Sequence, residues 1–173
     1  MLRLLLLRHA KAVPHDPAHD HARGLIERGR SDAMRMGKFI AKQKYGVTAS
    51  VHSGAKRTKE TLAIALAELP KGIPIASEPR LYEAPTSGFI ASLKDLPQDA
   101  KVVLLVGHNP SIAEAAHRLV GRGDEKALAR METKFPTSGL AVIDFDVARW
   151  SEIGAGAGRL VAFETPSSLS EAG

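Results

Sequence analysis

Arginine and histidine side chains follow two short apolar runs of the sequence, at the point where each run ends. Residues 4–7 are followed by Arg8 and His9, and residues 102–106 are followed, after one glycine, by His108. Arginine forks match pairs of phosphate oxygens, and a histidine can donate, accept or attack. Together these residue types indicate a cationic pocket for a phosphorylated ligand.

A third short run, residues 48–52, leads to Ser53 and Arg57. Ligands of open α/β sheets bind outside the carboxyl ends of the strands, so the three run ends are expected to meet at one edge. Arg57 is then expected to line the same pocket. Taken alone, it could instead pair with Glu60 or Glu68 on its own helix.

The segment Gly107-His108-Asn109-Pro110 has the features of a helix start. Asn109 is a favoured N-cap residue, and proline suits the first helical position. A helix N-terminus presents free N–H groups and a partial positive charge, so an anion is expected beside His108. The same field disfavours a protonated His108 unless the anion is bound.

Alternating strands and helices are needed to position these groups. Continuous apolar runs such as 4–7 and 102–106 suit strands buried on both faces of a parallel sheet. The alternation predicts a single three-layer α/β/α domain with a mostly parallel sheet over residues 1–166, followed by a flexible tail at 167–173. Further strands are predicted at 48–52, 73–77, 140–145 and 159–163, and helices at 32–44, 56–68, 89–96 and 110–120.

Composition narrows the class of protein. The 173 residues include 24 Lys and Arg against 19 Asp and Glu, a net charge of +5, with seven His and no Cys. The missing cysteine excludes disulfides, thiolate nucleophiles and sulfur-ligated metals, and a reduced cytoplasm is the expected location. No apolar run approaches the roughly 18 residues that span a membrane. A membrane is therefore not an expected partner. Aromatic residues, which stack on bases, are only 5% of the chain, so nucleic acid is not an expected partner either.

Two surface features have more than one interpretation. Residues 15–21 contain three His and two Asp, which could bind Zn²⁺ or Ni²⁺, but Pro14, Pro17 and their polarity favour a surface loop at the pocket mouth. Residues 28–44 carry a basic helical face, which is either solvated or a docking surface for an acidic partner protein. No metal and no cofactor is expected.

Three motifs, in their order along the chain, resemble those of the histidine phosphatase superfamily, whose fold is phosphoglycerate-mutase-like. They are Arg8-His9, Ser53-x-x-x-Arg57-x-x-x-Thr61 and Gly107-His108. The short chain and Asp20-x-x-Arg23-x-Leu25-x-x-x-Gly29 resemble more specifically the small phosphohistidine phosphatases called SixA. The resemblance covers residues 2 to about 145.

The resemblance implies covalent phosphoryl transfer. His9 would attack phosphorus and become a phosphohistidine, while Arg8, Arg57 and His108 would hold the phosphoryl oxygens and offset their charge. Water would then hydrolyse the phosphoenzyme. Arg23 matches an arginine of the SixA-like pattern and would contact the phosphate or its carrier.

Three further positions carry expectations from the same resemblance. Glu83 is the natural candidate for the general acid, with a surface-loop carboxylate as the alternative interpretation. Ser138, before a predicted strand, is a candidate for offering a backbone N–H to the phosphate. The family usually has glycine where this chain has Ala10, and a positive φ there would strain an alanine.

The expected substrate is a phosphohistidine in a protein. Histidine is a good leaving group once protonated, whereas an ester expels an alkoxide that needs an acid, so a site without a well-placed acid favours P–N bonds. The alternatives are a phosphatase of small phosphomonoesters such as sugar phosphates, and a non-catalytic module that binds phosphate or phosphohistidine.

Overall fold

Strands and helices alternate along most of the chain in the computed structural model, which describes residues 1–172. The strands are β1 (Leu2–Arg8), β2 (Ala49–His52), β3 (Ile75–Ser77), β4 (Val102–Gly107), β5 (Val120–Gly123), β6 (Leu140–Phe145) and β7 (Gly158–Glu164). The helices are α1 (Glu27–Gln43), α2 (Lys56–Leu66), α3 (Thr86–Lys94), α4 (Ser111–Leu119), α5 (Glu125–Thr133) and α6 (Pro166–Ala172).

The seven strands form one sheet in the order β3-β2-β4-β1-β6-β7-β5. Four neighbouring pairs are parallel, and β6 is antiparallel to both β1 and β7. The prediction of a mostly parallel sheet is therefore confirmed, with an antiparallel insertion at β6. None of the helices in residues 1–172 is long and apolar enough to cross a bilayer.

The side chains of β1 alternate between two apolar clusters, one on each face of the sheet. Leu4 and Leu6 pack with residues of α3, α4 and α5, whereas Leu5 and Leu7 pack with residues of α1 and α2. All four leucines are fully buried, which explains why this strand is apolar at successive positions. Helices cover both faces, and the predicted three-layer α/β/α architecture is confirmed.

The register of the central strands brings their carboxyl ends together. Arg8 of β1 lies opposite Gly107 of β4, and His52 of β2 lies opposite Val106 on the other side of β4. Because these three strands are parallel, the residues that follow them meet at one edge of the sheet. This edge is the one that the sequence predicts for the pocket.

Two glycines of α1 allow a close approach that sets the position of the neighbouring chain. A Cβ on Gly29 would lie 2.1 Å from the Lys11 carbonyl oxygen, and a Cβ on Gly37 would lie 2.8 Å from the backbone of Ala65 in α2. The first contact seats the segment after β1 on the start of α1. Any larger side chain at either position would push the elements apart.

Some element predictions were wrong, and each has a local reason. The helix predicted at 32–44 begins earlier, at Glu27. Neither β5 nor α5 was predicted: two of the four residues of β5 are glycine, and α5 buries only Ala127 and Met131. Such elements show little hydrophobic periodicity, and tertiary contacts decide their structure.

The segment predicted to be a flexible tail forms a helix instead. In α6, Leu169 packs against the cluster shared by α1 and α2, and the Arg35 guanidinium donates to Ser170 Oγ at 2.7 Å. The small polar residues around Leu169 conceal this docking in the sequence. Gly173, the last residue of the predicted tail, lies outside the described residues.

Candidate active site

A cavity of about 1000 Å³ opens at the edge where β1, β2 and β4 end. Four residues predicted from the sequence line this phosphate pocket together, namely Arg8, His9, Arg57 and His108. The ring centroids of the two histidines are 5.2 Å apart. The two histidines and the two arginines thus line one cavity, which is named for the ligand that the sequence predicts.

The backbone fixes the orientation and the tautomer of His9. The ring is 8% exposed, and its Nδ1 donates to the carbonyl oxygen of Ala10 at 2.8 Å. Because a carbonyl only accepts, the proton lies on Nδ1, and Nε2 keeps its lone pair. Burial lowers the pKa of His9 to about 4, and the positive charges of Arg57 and Arg8 add to this shift. His9 is therefore a neutral base at neutral pH, in the form that a nucleophile needs.

Ala10 occupies its position without strain. It is not among the described residues with positive φ, so it does not need the freedom of glycine. Its side chain is fully buried, and its N–H donates to Thr61 Oγ1 at 2.9 Å. Thr61 comes from α2, and this contact ties the turn that carries His9 to the helix that carries Arg57.

The ring of His108 is held by the residue after β2. Its Nε2 lies 2.7 Å from Ser53 Oγ, which in turn contacts Thr58 Oγ1 at 2.9 Å. Burial lowers the pKa of His108 to about 3, helped by the nearby positive charge of Arg57. The ring is therefore neutral without a ligand, and a bound phosphate would raise its pKa.

The predicted helix cap after His108 was wrong in one detail. The helix α4 begins at Ser111 with Pro110 as its N-cap residue, and no side chain caps it. The Asn109 side chain donates instead to the Phe135 carbonyl oxygen at 2.9 Å. Asn109 thus connects the end of β4 to the loop before β6.

Both arginines of the pocket are anchored to backbone carbonyl oxygens of other segments. Arg8 donates from Nη1 to the Phe135 carbonyl oxygen at 3.1 Å, and Arg57 donates to the Asp20 carbonyl oxygen at 2.8 Å. Three buried nitrogens of the pocket, Arg8 Nε, Arg57 Nε and His108 Nδ1, have no hydrogen-bond partner among the described residues. The guanidinium groups of Arg8 and Arg57 line the pocket and carry positive charge, which indicates an anionic ligand.

Comparisons with known proteins agree with this geometry. The family model for the histidine phosphatase superfamily, branch 1, matches residues 4–89. A solved structure from Agrobacterium tumefaciens, assigned as the phosphohistidine phosphatase SixA, is 30% identical with a TM-score of 0.79, and the match covers 95% of this chain and 98% of that one. The chain belongs to the histidine phosphatase superfamily. It is a phosphatase with a SixA-like structure.

Two other similar proteins extend the comparison. An uncharacterised protein of Mycobacterium leprae is 34% identical over 165 residues, which are 92% of this chain and 99% of that protein. A structure from Escherichia coli, assigned as an alpha-ribazole-5'-P phosphatase, is 16% identical with a TM-score of 0.69, and covers 96% of this chain and 98% of its own. At that identity the second likeness shows the histidine phosphatase fold alone.

Glu83 lines the rim of the pocket, where its side chain is exposed. Its backbone has a φ of +52°, in the left-handed region that glycine favours. The carboxylate has no hydrogen-bond partner among the described residues, so it is free to reach toward a bound substrate. The candidate acid therefore lies at the pocket, on a loop, whereas Arg8, His9 and His108 lie at strand ends.

Two residues that organise the pocket, Asp20 and Tyr82, were not predicted from the sequence. The Asp20 carboxylate receives hydrogen bonds from Tyr82 Oη at 2.6 Å, from Arg23 Nε at 2.9 Å and from Arg57 Nη2 at 3.1 Å. Burial opposes its charge, but these donors hold the pKa of Asp20 well below its usual range. Asp20 stood in the quoted motif with Arg23, and that spacing was the available signal.

The alternative interpretation of Arg57, an ion pair with Glu60 or Glu68 on its own helix, was wrong. Arg57 pairs with Asp20 instead of a carboxylate on its own helix, and Glu60 pairs with Arg30. Arg23 lines the pocket, but its guanidinium donates hydrogen bonds to the Asp20 carboxylate and to the Val13 carbonyl oxygen. In this arrangement Arg23 holds the loop that carries Asp20.

Ser138 does not lie where the sequence analysis expected. Its N–H donates to the carbonyl oxygens of Arg8 and His9, at 3.1 and 3.2 Å, and is therefore not directed at a ligand. The side chain is fully buried, and the backbone has a φ of +59°. Ser138 supports the turn that carries Arg8 and His9, while its neighbour Thr137 lines the pocket.

The residues of the 15–21 loop border the mouth of the pocket, as expected. His15 pairs with Asp20, and His19 pairs with Asp16. In residues 1–172 no three His, Asp or Glu side chains are arranged to hold a metal ion. His21 packs its ring edge against Tyr82, with centroids 4.9 Å apart.

Proposed function

We propose that this phosphatase works without a metal, through a covalent phosphohistidine on His9, and that its substrate is a phosphohistidine in a protein. His9 Nε2 attacks phosphorus as the P–N bond of the substrate breaks, and the substrate imidazole, which carries a proton on its other ring nitrogen, leaves as a neutral ring. Water then attacks the phosphoenzyme, the P–N bond breaks, and inorganic phosphate leaves with His9 restored.

The hydrogen bond from His9 Nδ1 to the Ala10 carbonyl oxygen carries this proposal. It makes Nε2 the nitrogen with the free lone pair, and it holds the ring against rotation. After attack, the positive charge of the ring is shared with Nδ1–H, which stays bonded to the carbonyl. The same contact therefore serves the neutral nucleophile and the phosphorylated ring.

Positive charge for the transition state comes from side chains. The guanidinium groups of Arg8 and Arg57 line the pocket and can bind the oxygens of the transferring phosphoryl group, and His108 can join them once a bound phosphate has raised its pKa and its ring is protonated. Phosphoryl transfer needs positioning and charge stabilisation above all, and the half-buried guanidinium of Arg8 and the buried guanidinium of Arg57 supply both. This is the reason for proposing a mechanism without a metal.

Two observations favour a P–N substrate. The buried part of the pocket contains histidines and arginines, and its candidate acid, Glu83, is exposed at the rim. An imidazole leaving group has a free pKa of about 6.5 and departs easily when protonated, so it does not depend on a buried acid. The similar Agrobacterium structure, assigned as the phosphohistidine phosphatase SixA, supports the same substrate class.

Glu83 also supports a second candidate, hydrolysis of small phosphomonoesters. Its free carboxylate at the rim can protonate an alkoxide leaving group. The fold shared with a structure assigned as an alpha-ribazole-5'-P phosphatase fits this alternative. The cytoplasmic location and the exclusion of nucleic acid as a partner stay predictions of the sequence.

The decisive experiment compares kcat/KM for a phosphohistidine peptide, a phosphoserine peptide of the same sequence, a sugar phosphate and an aryl phosphate. We expect the phosphohistidine peptide to exceed the phosphoserine peptide by about 100-fold, because only the ester needs the acid. Turnover of the sugar phosphate alone would overturn the proposed substrate. Binding of all four without turnover would indicate the non-catalytic module.

A further inference from the structure

A second cavity opens beside the phosphate pocket and shares part of its wall. Its volume is about 640 Å³, and Lys11 and Thr137 line both cavities. The start of α1, the end of α5 and the chain after β7 form the rest. We call it the side groove, and its residues of interest are Lys11, Arg28, Asp32, Arg130, Lys134 and Thr137.

The side groove is strongly basic. Its charged lining consists of four positive side chains and one carboxylate, that of Asp32. The salt bridges of the described residues include neither Lys11 nor Lys134. Arg28 is 80% exposed and lies 3.8 Å from Asp32, too far for a hydrogen bond. Arg130 lies 3.7 Å from Glu164, so the cations of this groove without a carboxylate partner among the described residues are Lys11 and Lys134.

A third cavity of about 600 Å³ continues the side groove along α1. The two share Arg28, Asp32, Pro166 and Ser167, and the third cavity adds Arg35. The Arg35 guanidinium donates to neutral oxygens, those of Pro166 and Ser170. A basic path thus leads from the phosphate pocket onto the basic face of α1, and it is far longer than a phosphoryl group requires.

We propose that the side groove docks an acidic segment of the phosphorylated protein, an inference that rests on the proposed function. A phosphohistidine is attached to a folded chain, so flanking residues must lie on the enzyme outside the phosphate pocket. The side groove adjoins that pocket, with Lys11 and Thr137 lining both. Lys11 and Lys134, which have no carboxylate partner among the described residues, complement carboxylates of a bound segment, and such complementarity steers and orients an acidic partner. A small phosphomonoester is held within the phosphate pocket and leaves the side groove empty.

Charge reversal in the groove tests the inference. Arg28→Glu with Lys134→Glu should lower kcat/KM about tenfold for a phosphohistidine peptide with acidic flanks, the effect of two exposed ion pairs. The same double variant should leave hydrolysis of N-phosphoimidazole unchanged, because that substrate does not reach the groove. The loss should shrink at high salt, where exposed charges are screened.

Lys126→Glu is the matched control. Lys126 is also exposed and lies at the opposite end of α5, outside the groove. It should retain wild-type kcat/KM on the acidic peptide. Equal rates for the double variant and the wild type on that peptide would overturn the inference, as would an equal loss on N-phosphoimidazole.

Binding separates this inference from the proposed function. The unphosphorylated acidic peptide should bind the wild-type protein more tightly than a peptide with neutral flanks, measured by fluorescence anisotropy, and the double variant should lose that preference. Failure to hydrolyse any phosphohistidine substrate refutes the proposed function but leaves the binding result standing. Equal binding of both peptides to the wild type refutes the docking inference, whatever the activity.

Discussion

The two sides of the phosphate pocket are held in different ways. On the sheet side, His9, Arg57 and His108 are all less than 9% exposed and are fixed by contacts to backbone or to buried hydroxyls. On the loop side, Glu83 is exposed and without a partner among the described residues. In the proposed function, the sheet side acts on phosphorus and the loop side acts on the leaving group.

This division predicts how substitutions behave. A change on the sheet side should reduce the hydrolysis of every substrate, since each substrate presents the same phosphoryl group. A change on the loop side should discriminate between substrates by the leaving group. The following predictions test that contrast.

The largest effect is expected from His9→Ala. Removal of the nucleophile should lower kcat by about 10⁴-fold or more on every substrate and abolish the acid-labile phosphoenzyme. Phosphoenzyme trapping after rapid quench, followed by kinetics on each substrate, measures both. His117→Ala is the control, because His117 is an exposed residue of α4. A trapped phosphoenzyme in the His9→Ala variant would refute the assignment of the nucleophile.

Arg57→Ala should lower kcat/KM by about 10³-fold on P–N and P–O substrates alike, because it removes a buried transition-state contact. Arg57→Lys should recover only part of this, since an ammonium lacks the fork that meets Asp20 and a phosphate together. Circular dichroism at matched concentration checks that both variants are folded. A loss confined to one substrate class contradicts the proposed role of the sheet side.

Glu83→Gln should separate the two sides most clearly. Hydrolysis of the aryl phosphate is expected to change little and that of the phosphoserine peptide to fall about 100-fold, because only the alkoxide needs a proton from an acid. The phosphohistidine peptide should be hydrolysed at the wild-type rate. Equal losses on both peptides would place Glu83 in the chemistry on phosphorus and would remove the contrast.

Tyr82→Phe should have a smaller effect, about fivefold on kcat/KM, because it removes one hydrogen bond to a charged group. The 2.6 Å contact from Tyr82 Oη supports the Asp20 carboxylate that orients Arg57. The pKa of Asp20 should rise, which NMR titration can follow. Tyr45→Phe, at a half-buried tyrosine outside the phosphate pocket, is the matched control. An unchanged pKa of Asp20 in Tyr82→Phe would contradict this role.

The smallest effect concerns pH. With a pKa of about 4, His9 stays mostly neutral at pH 5, so the rate of phosphoenzyme formation should fall by about 10% between pH 7 and 5 and halve near pH 4. An ordinary histidine would already be mostly protonated at pH 5. Stopped-flow or quench kinetics with the Glu83→Gln variant measures this acid side of the pH–rate profile without a contribution from the Glu83 carboxyl. A midpoint near 6.5 would show that burial does not tune the nucleophile.

The same pKa shifts predict a loss of stability on the acid side. Unfolded histidines bind protons as the pH falls below about 6.5, whereas native His9 and His108 resist protonation until about pH 4 and 3. The unfolded state therefore binds more protons in that window, and the free energy of unfolding should decrease as the pH falls through it. Urea unfolding at pH 7 and 5 measures the difference.

Much of the site was predictable because it follows from strand ends. Arg8, His9 and His108 directly follow or end apolar runs that are buried on both faces, and such runs are evident without a structure. Asp20 and Tyr82 were not recognised because their roles depend on each other and on Arg57, residues far apart in the chain. Ser138 was misplaced because a motif does not show which way an N–H points.

By itself, the sequence predicted the class of chemistry: histidines and arginines at the ends of buried strands indicate a cationic pocket for phosphate, and the family resemblance implies a histidine nucleophile. The tertiary structure decided the rest. It set the tautomer of His9 through the hydrogen bond to the Ala10 carbonyl oxygen. It also paired Arg57 with Asp20 and placed the side groove beside the phosphate pocket. Strand ends are local properties of the sequence, whereas hydrogen-bond partners and cavities depend on which distant segments pack together.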